Sequence, residues 1–492
     1  MADIVLSTLN SRFSHASLGL RYLLANMGEL ASRTQLAEFV INQRPLDVVE
    51  RLLALQPQIV GFGVYIWNIE ETTRVVAQLK QVRPDIAIVL GGPEVSHELE
   101  SQLILRYVDH VITGPGDVSF SKLCQALLHG PKPLQKVIAG EQVPLAQLQF
   151  PYHLYSDDDL AHRLVYVEAS RGCPFKCEFC LSSLDKTSWP FPLDAFLQQL
   201  QQLYERGART FKFVDRTFNL NIKSSLRILD FFLQRLTPDL FVHFEVIPDH
   251  LPDTLKQAIA QFPEGVLQLE IGIQTFNPEV QALISRKQDN AKSEANLRWL
   301  SQHSRAHIHS DLIAGLPGED MLSFAAGFNR LWALGPQEIQ LGILKRLKGT
   351  PIARHTEAFD MRYNPLPPYN ILSNRDLNFV TLQRLNRFAR YWDLIGNSGR
   401  FPNTLPLLLG VVFFGLNLTA RSRAYFNALR AAYPAEHIKW RHIWAAYVAA
   451  VGFNGVVPAH GGDIIKLFLV KKPLCRPGAR PKLECPEQGQ GG

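Results

Sequence analysis

Three observations predict an α/β chain with two successive alternating domains. Short apolar runs alternate with amphipathic stretches over the first 140 residues, the alternation resumes at Leu164 for six further units, and a linker containing proline and Asp157-Asp-Asp159 divides them. Strand runs separated by helices argue for parallel sheets. The expected architecture is an N-terminal Rossmann-like, doubly wound parallel sheet, then a partial (βα)6 barrel, then a helical C-terminal region. The expected divisions are residues 1–140, a linker at 141–162, the barrel at 163–350, a partial helical domain at 351–403, a hydrophobic fragment at 404–470 and a disordered tail at 471–492.

In the first domain, strands are expected at Ile4–Leu9, Ala37–Ile41, Ile59–Ile66, Ala87–Leu90 and His110–Thr113. Helical spacing falls at Gly19–Glu29, Leu46–Leu55, Ile69–Val82, His97–Tyr107 and Val118–Leu128. Ligands of doubly wound sheets sit beyond the carboxyl ends of the strands. Those ends carry Asn10 to His15, Tyr65-Ile-Trp67-Asn68, Gly91-Gly92-Pro93-Glu94 and Gly114-Pro-Gly-Asp117. Glycine there lets the backbone come close to a ligand.

In the second domain, strands are expected at Leu164–Ala169, Thr210–Val214, Phe241–Val246, Leu267–Ile273, His307–Ile313 and Glu338–Leu344. The helices between them are Leu193–Arg206, Lys223–Leu236, Asp253–Gln261, Lys292–Gln302 and Met321–Leu334. A barrel of this kind gathers its chemistry at the carboxyl ends of its strands.

Directly after the first barrel strand stand Cys173, Cys177 and Cys180, in the run Ser170-Arg-Gly-Cys-Pro-Phe-Lys-Cys-Glu-Phe-Cys-Leu181. Three thiolates can hold three irons of a 4Fe–4S cluster and leave the fourth iron open, whereas an electron-transfer cluster is closed by four cysteines. Structural zinc wants four ligands, usually in two separated pairs, and no second pair follows. A disulfide is a further alternative, but six cysteines in 492 residues is sparse and no secretory signal opens the chain. Cys124 reads as a buried core thiol, and Cys475 and Cys485 sit in the Pro/Gly-rich tail. Apolar content of 46% supports a large core, and the net charge of +6 is spread along the chain. That spread does not make the clustered basic stripe of a nucleic-acid binder.

The cysteine spacing resembles that of the radical S-adenosylmethionine (radical SAM) enzymes. The resemblance implies that the three cysteines hold a 4Fe–4S cluster and that Phe179 packs near the adenine of S-adenosylmethionine. It implies contacts from Asp215 near the methionine amino end, from Glu270 and Gln274 to the ribose, and from the Gly315 turn to the adenine. Lys345 is implied to face the substrate. Glu270, Gly272 and Gln274 fall on one side of a strand. The strand ends of the first domain resemble the cobalamin-binding domain that precedes many radical SAM cores, which implies cofactor contacts from Asn10, Trp67, Gly91, Gly92, Glu94 and Gly114. The Asp-x-His-x-x-Gly signature whose histidine ligates cobalt is absent, and the usual Gly-Glu-Gly-Glu turn is Gly114-Pro-Gly-Asp117 here. His15 and His97 are the alternative cobalt ligands.

Residues 10–22, together with the stretch from Tyr363 to Phe401, resemble a subgroup of these proteins with an uncharacterised helical C-terminal domain. Beyond it, Leu405–Leu418 and Ile443–Val457 are apolar runs shorter than the roughly 20 residues that span a bilayer. The run Asn454 to Asp463 resembles flippase-like membrane proteins related to lysylphosphatidylglycerol synthase.

The expected function is therefore reductive cleavage of S-adenosylmethionine to a 5′-deoxyadenosyl radical, with cobalamin, for methylation, cyclisation or rearrangement of a small-molecule substrate. An electron donor such as flavodoxin or ferredoxin is implied, and a thiolate-held cluster implies the cytoplasm, with membrane contact through 404–470 as a further expectation. The alternatives are a radical SAM enzyme without cobalamin and a non-catalytic, membrane-tethered metal protein.

Overall fold

The first sheet of the computed structural model, which describes residues 2–400, has six parallel strands in the order β2-β1-β3-β4-β5-β6. They are β1 (Ile4–Asn10), β2 (Thr34–Val40), β3 (Ile59–Gly63), β4 (Ala87–Gly91), β5 (His110–Thr113) and β6 (Val137–Ala139). Every residue of β1 is buried, because helices cover both faces of the sheet. Val5, Leu9, Val60 and Ile88 pack with α2 (Pro45–Ala54) and α3 (Ile69–Val82). Ile4, Leu6, Ile59 and Val89 pack on the other side with α1 (Leu18–Ala25) and α4 (Ser119–His129). Strand order reverses at β1, which lies between β2 and β3. That switch point opens a crevice at the carboxyl ends of β1 and β3.

The stretch 97–107 is not an α-helix. It makes two short 3-10 turns, Leu99–Ser101 and Leu103–Tyr107, because Glu98 adopts a left-handed φ of 51° that no helix accepts. Strand β6 was not among the sequence-based expectations.

After α5 (Asp157–His162) comes the second sheet, with the order β14-β13-β12-β11-β10-β7, all parallel. Its strands are β7 (Val165–Val167), β10 (Thr210–Phe213), β11 (Phe241–Val246), β12 (Leu267–Gln274), β13 (His307–Ala314) and β14 (Glu338–Ile343). Each strand pairs with the one before it and the outer two do not meet, so the barrel is partial. A hairpin of β8 (Ser170–Gly172) and β9 (Ser188–Pro190) brackets the cysteine loop. Helices α6 (Leu193–Glu205), α7 (Ile222–Leu233), α8 (Asp253–Ile259), α9 (Pro278–Leu283), α10 (Asn290–His303) and α11 (Met321–Trp332) form the connections. Along β12, Leu267, Leu269, Ile271 and Ile273 are buried, while Gln268, Glu270, Gly272 and Gln274 are half-open on the opposite face. The barrel interior is therefore polar. A small hairpin, β15 (Arg362–Tyr363) with β16 (Ile371–Ser373), follows.

The chain divides into two units, Met1–Leu382 and Gln383 onward, and α12 (Phe379–Ile395) runs into the second. The expected fragment at 404–470, the tail at 471–492, Cys475 and Cys485 lie outside the described residues. Among the described residues, no helix is long and apolar enough to cross a membrane.

Candidate functional site

The cysteine loop leaves the carboxyl end of β7, where Gly172 takes a φ of 86° to turn the chain. Cys173, Cys177 and Cys180 are all free thiols. They line one cavity of about 250 Å³ with Phe179, Arg216, Glu245, Glu270, Gln274, Arg286 and Asp311. The loop is fixed by Ser183, whose hydroxyl donates to the carbonyls of Cys177 (2.8 Å) and Cys180 (2.7 Å). Glu178, buried between the last two cysteines, accepts from Ser285 and Arg354 and meets His355 Nε2 at 2.9 Å. Its carbonyl also accepts from Ile352 at 3.0 Å. A residue inside the motif thus anchors the segment that follows the barrel.

Burial pushes the Cys173 and Cys177 thiols up, and the Arg286 guanidinium, 3.5 Å from Cys177 Sγ, opposes this at Cys177. Metal binding requires the thiolates, so coordination itself must displace the protons. Among the described residues no group of three or more His, Cys, Asp or Glu side chains is placed to hold a single metal ion. Three sulfurs set around one cavity fit a multinuclear cluster, in which each binds its own iron.

The cavity floor is charged. Arg216 makes a bidentate pair with Glu245 (2.8 and 3.0 Å). It does not pair with the adjacent Asp215, whose carboxylate is taken by Ala169 and Ser170. Glu270 Oε2 lies 3.0 Å from His243 Nε2. Burial favours protonation of Glu270, but the hydrogen bond and charge of His243, then Lys212 and His309, hold it at about 2. Gln274 sits at a φ of 68° beside a register shift of β12, a conformation sparsely allowed for a side-chain-bearing residue. Arg286 donates to the Gly272 carbonyl.

Three expected contacts lie elsewhere. Asp215 does not line the cavity: its carboxylate accepts from Ala169 N (2.9 Å) and Ser170 Oγ (2.6 Å), so it secures the start of the cysteine loop. Its burial pushes the carboxyl up to about 7, against those two hydrogen bonds. Gly315, at a φ of 92°, packs under Ile371 of β16 rather than facing the cavity. Lys345 bridges to Asn370 and is likewise absent from the lining. Sequence reading missed Arg216, Glu245, Arg286 and Asp311. Glu245 comes beside Glu270, and Asp311 beside Gly272, through the parallel register of neighbouring strands, which no local pattern signals.

A second cavity, of about 690 Å³, opens at the switch point of the first sheet. Asn10, Trp67, Gly91, Gly92 and Gly114 line it, with Gly19, Gly61, Gly63 and Gly116. A methyl group added at Gly92, whose φ is 111°, would lie 2.5 Å from the Val64 carbonyl oxygen, and one at Gly61 would lie 2.7 Å from the Phe120 ring. Trp67 is 45% exposed and stacks on Tyr65 with ring centroids 4.5 Å apart. A roomy, glycine-walled crevice at a switch point fits a large cofactor such as cobalamin, which would lie against bare backbone.

His15 lines this cavity, but its Nδ1 meets the Tyr166 hydroxyl. His97 instead packs against Gly349. Glu94 is buried outside the lining, 3.2 Å from Lys348 Nζ and accepting from Tyr369 at 2.7 Å. It ties the loop after β4 to the post-barrel segment, and Glu98 does the same through Arg346 (3.0 and 3.1 Å).

The altered Gly114-Pro-Gly-Asp117 turn has a defined partner. Asp117 accepts from Arg171 at 2.9 Å, and Arg171 also pairs with Glu168 at 2.7 Å. Arg171 precedes Cys173 by two residues, so one guanidinium joins the two domains at their strand ends. Arg216 lines both cavities.

Comparison with known proteins agrees with this division. Residues 5–123 match the B12 binding domain, residues 167–326 match the Radical SAM superfamily, and residues 357–426 match a Protein of unknown function (DUF4080) family. The last match extends through Leu405–Leu418, so that apolar run falls within it rather than wholly in a membrane-protein fragment. The chain is 26% identical over 300 residues to the uncharacterized methyltransferase PH0819 of Pyrococcus horikoshii, covering 56% of this chain and 63% of that protein. It is 22% identical to the cobalamin-dependent radical SAM methyltransferase TokK of Streptomyces tokunonensis, covering 59% of this chain and 47% of that one. It therefore spans about half to two thirds of these relatives. The structure of the radical S-adenosylmethionine methyltransferase TsrM from Kitasatospora setae, with cobalamin and a [4Fe-4S] cluster bound, superposes with a TM-score of 0.58 at 14% identity, over 75% of this chain and 78% of TsrM. A match to the B12 binding domain is thus followed by a match to the Radical SAM superfamily in one α/β chain.

Proposed function

We propose that this protein is a cobalamin-dependent radical SAM enzyme that transfers a methyl group to a small-molecule substrate. The observation that carries the reading is Arg216, shared by the glycine-walled cavity and the cysteine cavity. A 4Fe–4S cluster on Cys173, Cys177 and Cys180 would supply reductive cleavage of S-adenosylmethionine, and cobalamin at Asn10, Trp67, Gly91, Gly92 and Gly114 would supply the methyl carrier. Phe179, Glu270 and Gln274 then present ring, carboxylate and amide to S-adenosylmethionine. Glu270, ionised at any working pH, offers a fixed anion to that cationic substrate. Arg216 and Arg286 offset the negative charge of the thiolates.

The methyltransferase names of the relatives support the transfer over cyclisation or rearrangement. On this reading the chain works in the reducing cytoplasm with a flavodoxin- or ferredoxin-type electron donor. Its working divisions are 1–140 for cobalamin and 163–350 for the radical chemistry. The test is anaerobic reconstitution with iron, sulfide and hydroxocobalamin, then reduction in the presence of S-adenosylmethionine. The expected products are 5′-deoxyadenosine and, with substrate from host extracts, S-adenosylhomocysteine. Corrinoid lost on gel filtration would leave a radical SAM enzyme without cobalamin. Zinc in place of iron and sulfide would end the radical reading.

A further inference from the structure

A row of titratable side chains leads from the cysteine cavity to the opposite end of the barrel, and the proposed transfer uses none of its far members. Asp311 lines the cavity near the carboxyl end of β13. His309 and His307 lie on the same face of that strand, two and four residues back. The Nε2 of His309 is 3.3 Å from Asp311 Oδ1, and its Nδ1 is 3.7 Å from Glu338 Oε2 on β14. The other Glu338 oxygen lies 3.2 Å from Nε2 of His307, whose side chain is 39% exposed. Both ring nitrogens of His309 thus face carboxylates on opposite sides. Asp311 Oδ1 is buried and carries no aligned hydrogen bond. From Asp311 to His307 the strand covers about 13 Å.

The neighbours define which members can exchange a proton. Asp311 faces His309, Glu270 of β12 and Arg286 of the loop before α10. His309 faces Asp311, Glu270 and Glu338, and acts on His243 of β11. Glu270 is committed to His243 and stays ionised, so it carries no proton. Burial disfavours the His309 cation, but Asp311, Glu270 and Glu338 raise its affinity for a proton above the ordinary value. Burial likewise raises Asp311, against His309.

We propose that Asp311, His309, Glu338 and His307 form a proton path between the cysteine cavity and solvent at the amino end of the barrel. This rests on the cluster reading above. One electron entering the cavity from the external donor adds one negative charge. One proton enters at His307, passes through Glu338 and His309, and ends on the Asp311 carboxylate, so the net charge of the cavity is unchanged. Reoxidation returns that proton by the same route. The 3.7 Å step is longer than a hydrogen bond, and a tilt of the imidazole or a bridging water closes it.

The test is a potentiometric titration of the reconstituted cluster across neutral pH, read by electron paramagnetic resonance, in wild type, Asp311→Asn and His309→Gln. In wild type the potential falls as pH rises. In Asp311→Asn, which removes the proton's destination, that dependence flattens while iron content is unchanged, whereas His309→Gln, which interrupts the route, slows reduction several-fold. His307→Gln, at the exposed end, keeps the equilibrium dependence but slows reduction several-fold and loses its solvent deuterium effect, and it keeps the test available if an interior variant misfolds. A pH-independent potential with an intact cluster overturns the path alone, as does a slope that survives in Asp311→Asn or a reduction rate unchanged in His309→Gln. A wild-type protein that assembles no cluster overturns the path together with the reading beneath it.

Discussion

The cavity at the switch point of the first sheet and the cavity at the mouth of the barrel share Arg216 yet are built of different materials. The first is walled by seven glycines and a stacked Tyr65–Trp67 pair. The second is ringed by thiols, carboxylates and guanidinium groups. Bare backbone suits a large ligand that brings its own chemistry, because recognition is by shape and close approach. Dense, mutually paired charge suits a site where electrons and ions arrive, because each change must be balanced within a poorly solvated space. The first cavity should therefore fail by steric intrusion and the second by loss of a charge or a ligand.

The largest expected effect is on the charged side. Cys177→Ala should remove nearly all cluster iron and the 5′-deoxyadenosine product, read by iron and sulfide analysis and by chromatography. Full retention of both would refute the assignment of that thiol.

Next is the joint between the two regions. Arg171→Ala strands the carboxylates of Glu168 and Asp117, which are buried or nearly so. Losing one partner of such a pair costs about 4 kcal/mol, measurable by urea unfolding. A loss under about 1 kcal/mol would mark the pairs as no stronger than surface ones.

Asp215 gives a pH-dependent comparison. Its carboxyl is raised to about 7 in the fold, against roughly 3.9 in the unfolded chain. Folding therefore binds a proton between these values, so this group's contribution to stability is greatest at low pH. It declines as pH rises through that window and levels off above it, by about 4 kcal/mol in all. Asp215→Asn should flatten that part of the urea-unfolding profile, and an unchanged slope would contradict the assignment.

The smallest effect is steric. Gly92→Ala forces a side chain into a left-handed conformation against the Val64 carbonyl, costing about 2 kcal/mol, with retained corrinoid falling more than iron content. Equal loss of both would erase the distinction between the two cavities.

Legibility in the sequence followed the range of the interaction. The three cysteines were readable because one short loop carries them, while Phe179, Glu270 and Gln274 were named from the resemblance, and all of them line one cavity. Arg216 was set beside Asp215 in sequence, but its partner is Glu245, 29 residues away. The stretch 97–107 had helical spacing, yet Glu98 leaves the helical region and reaches across to Arg346, a contact no local pattern encodes. Glu94 stands in a glycine-rich motif that pointed to a cofactor, and tertiary structure gives it to Lys348 and Tyr369.

By itself, then, the sequence determined the two alternating α/β units, the order of the domains and the thiols after the first barrel strand. These follow from periodicity and spacing, which act over a few residues. Only the tertiary structure decided that Asp117 of the altered turn meets Arg171 and that Asp215 braces the loop instead of lining it. It alone aligned His309 between carboxylates on two strands. Those outcomes depend on parallel register and on which residues of distant segments share a buried volume, and neither is written in any local run of the chain.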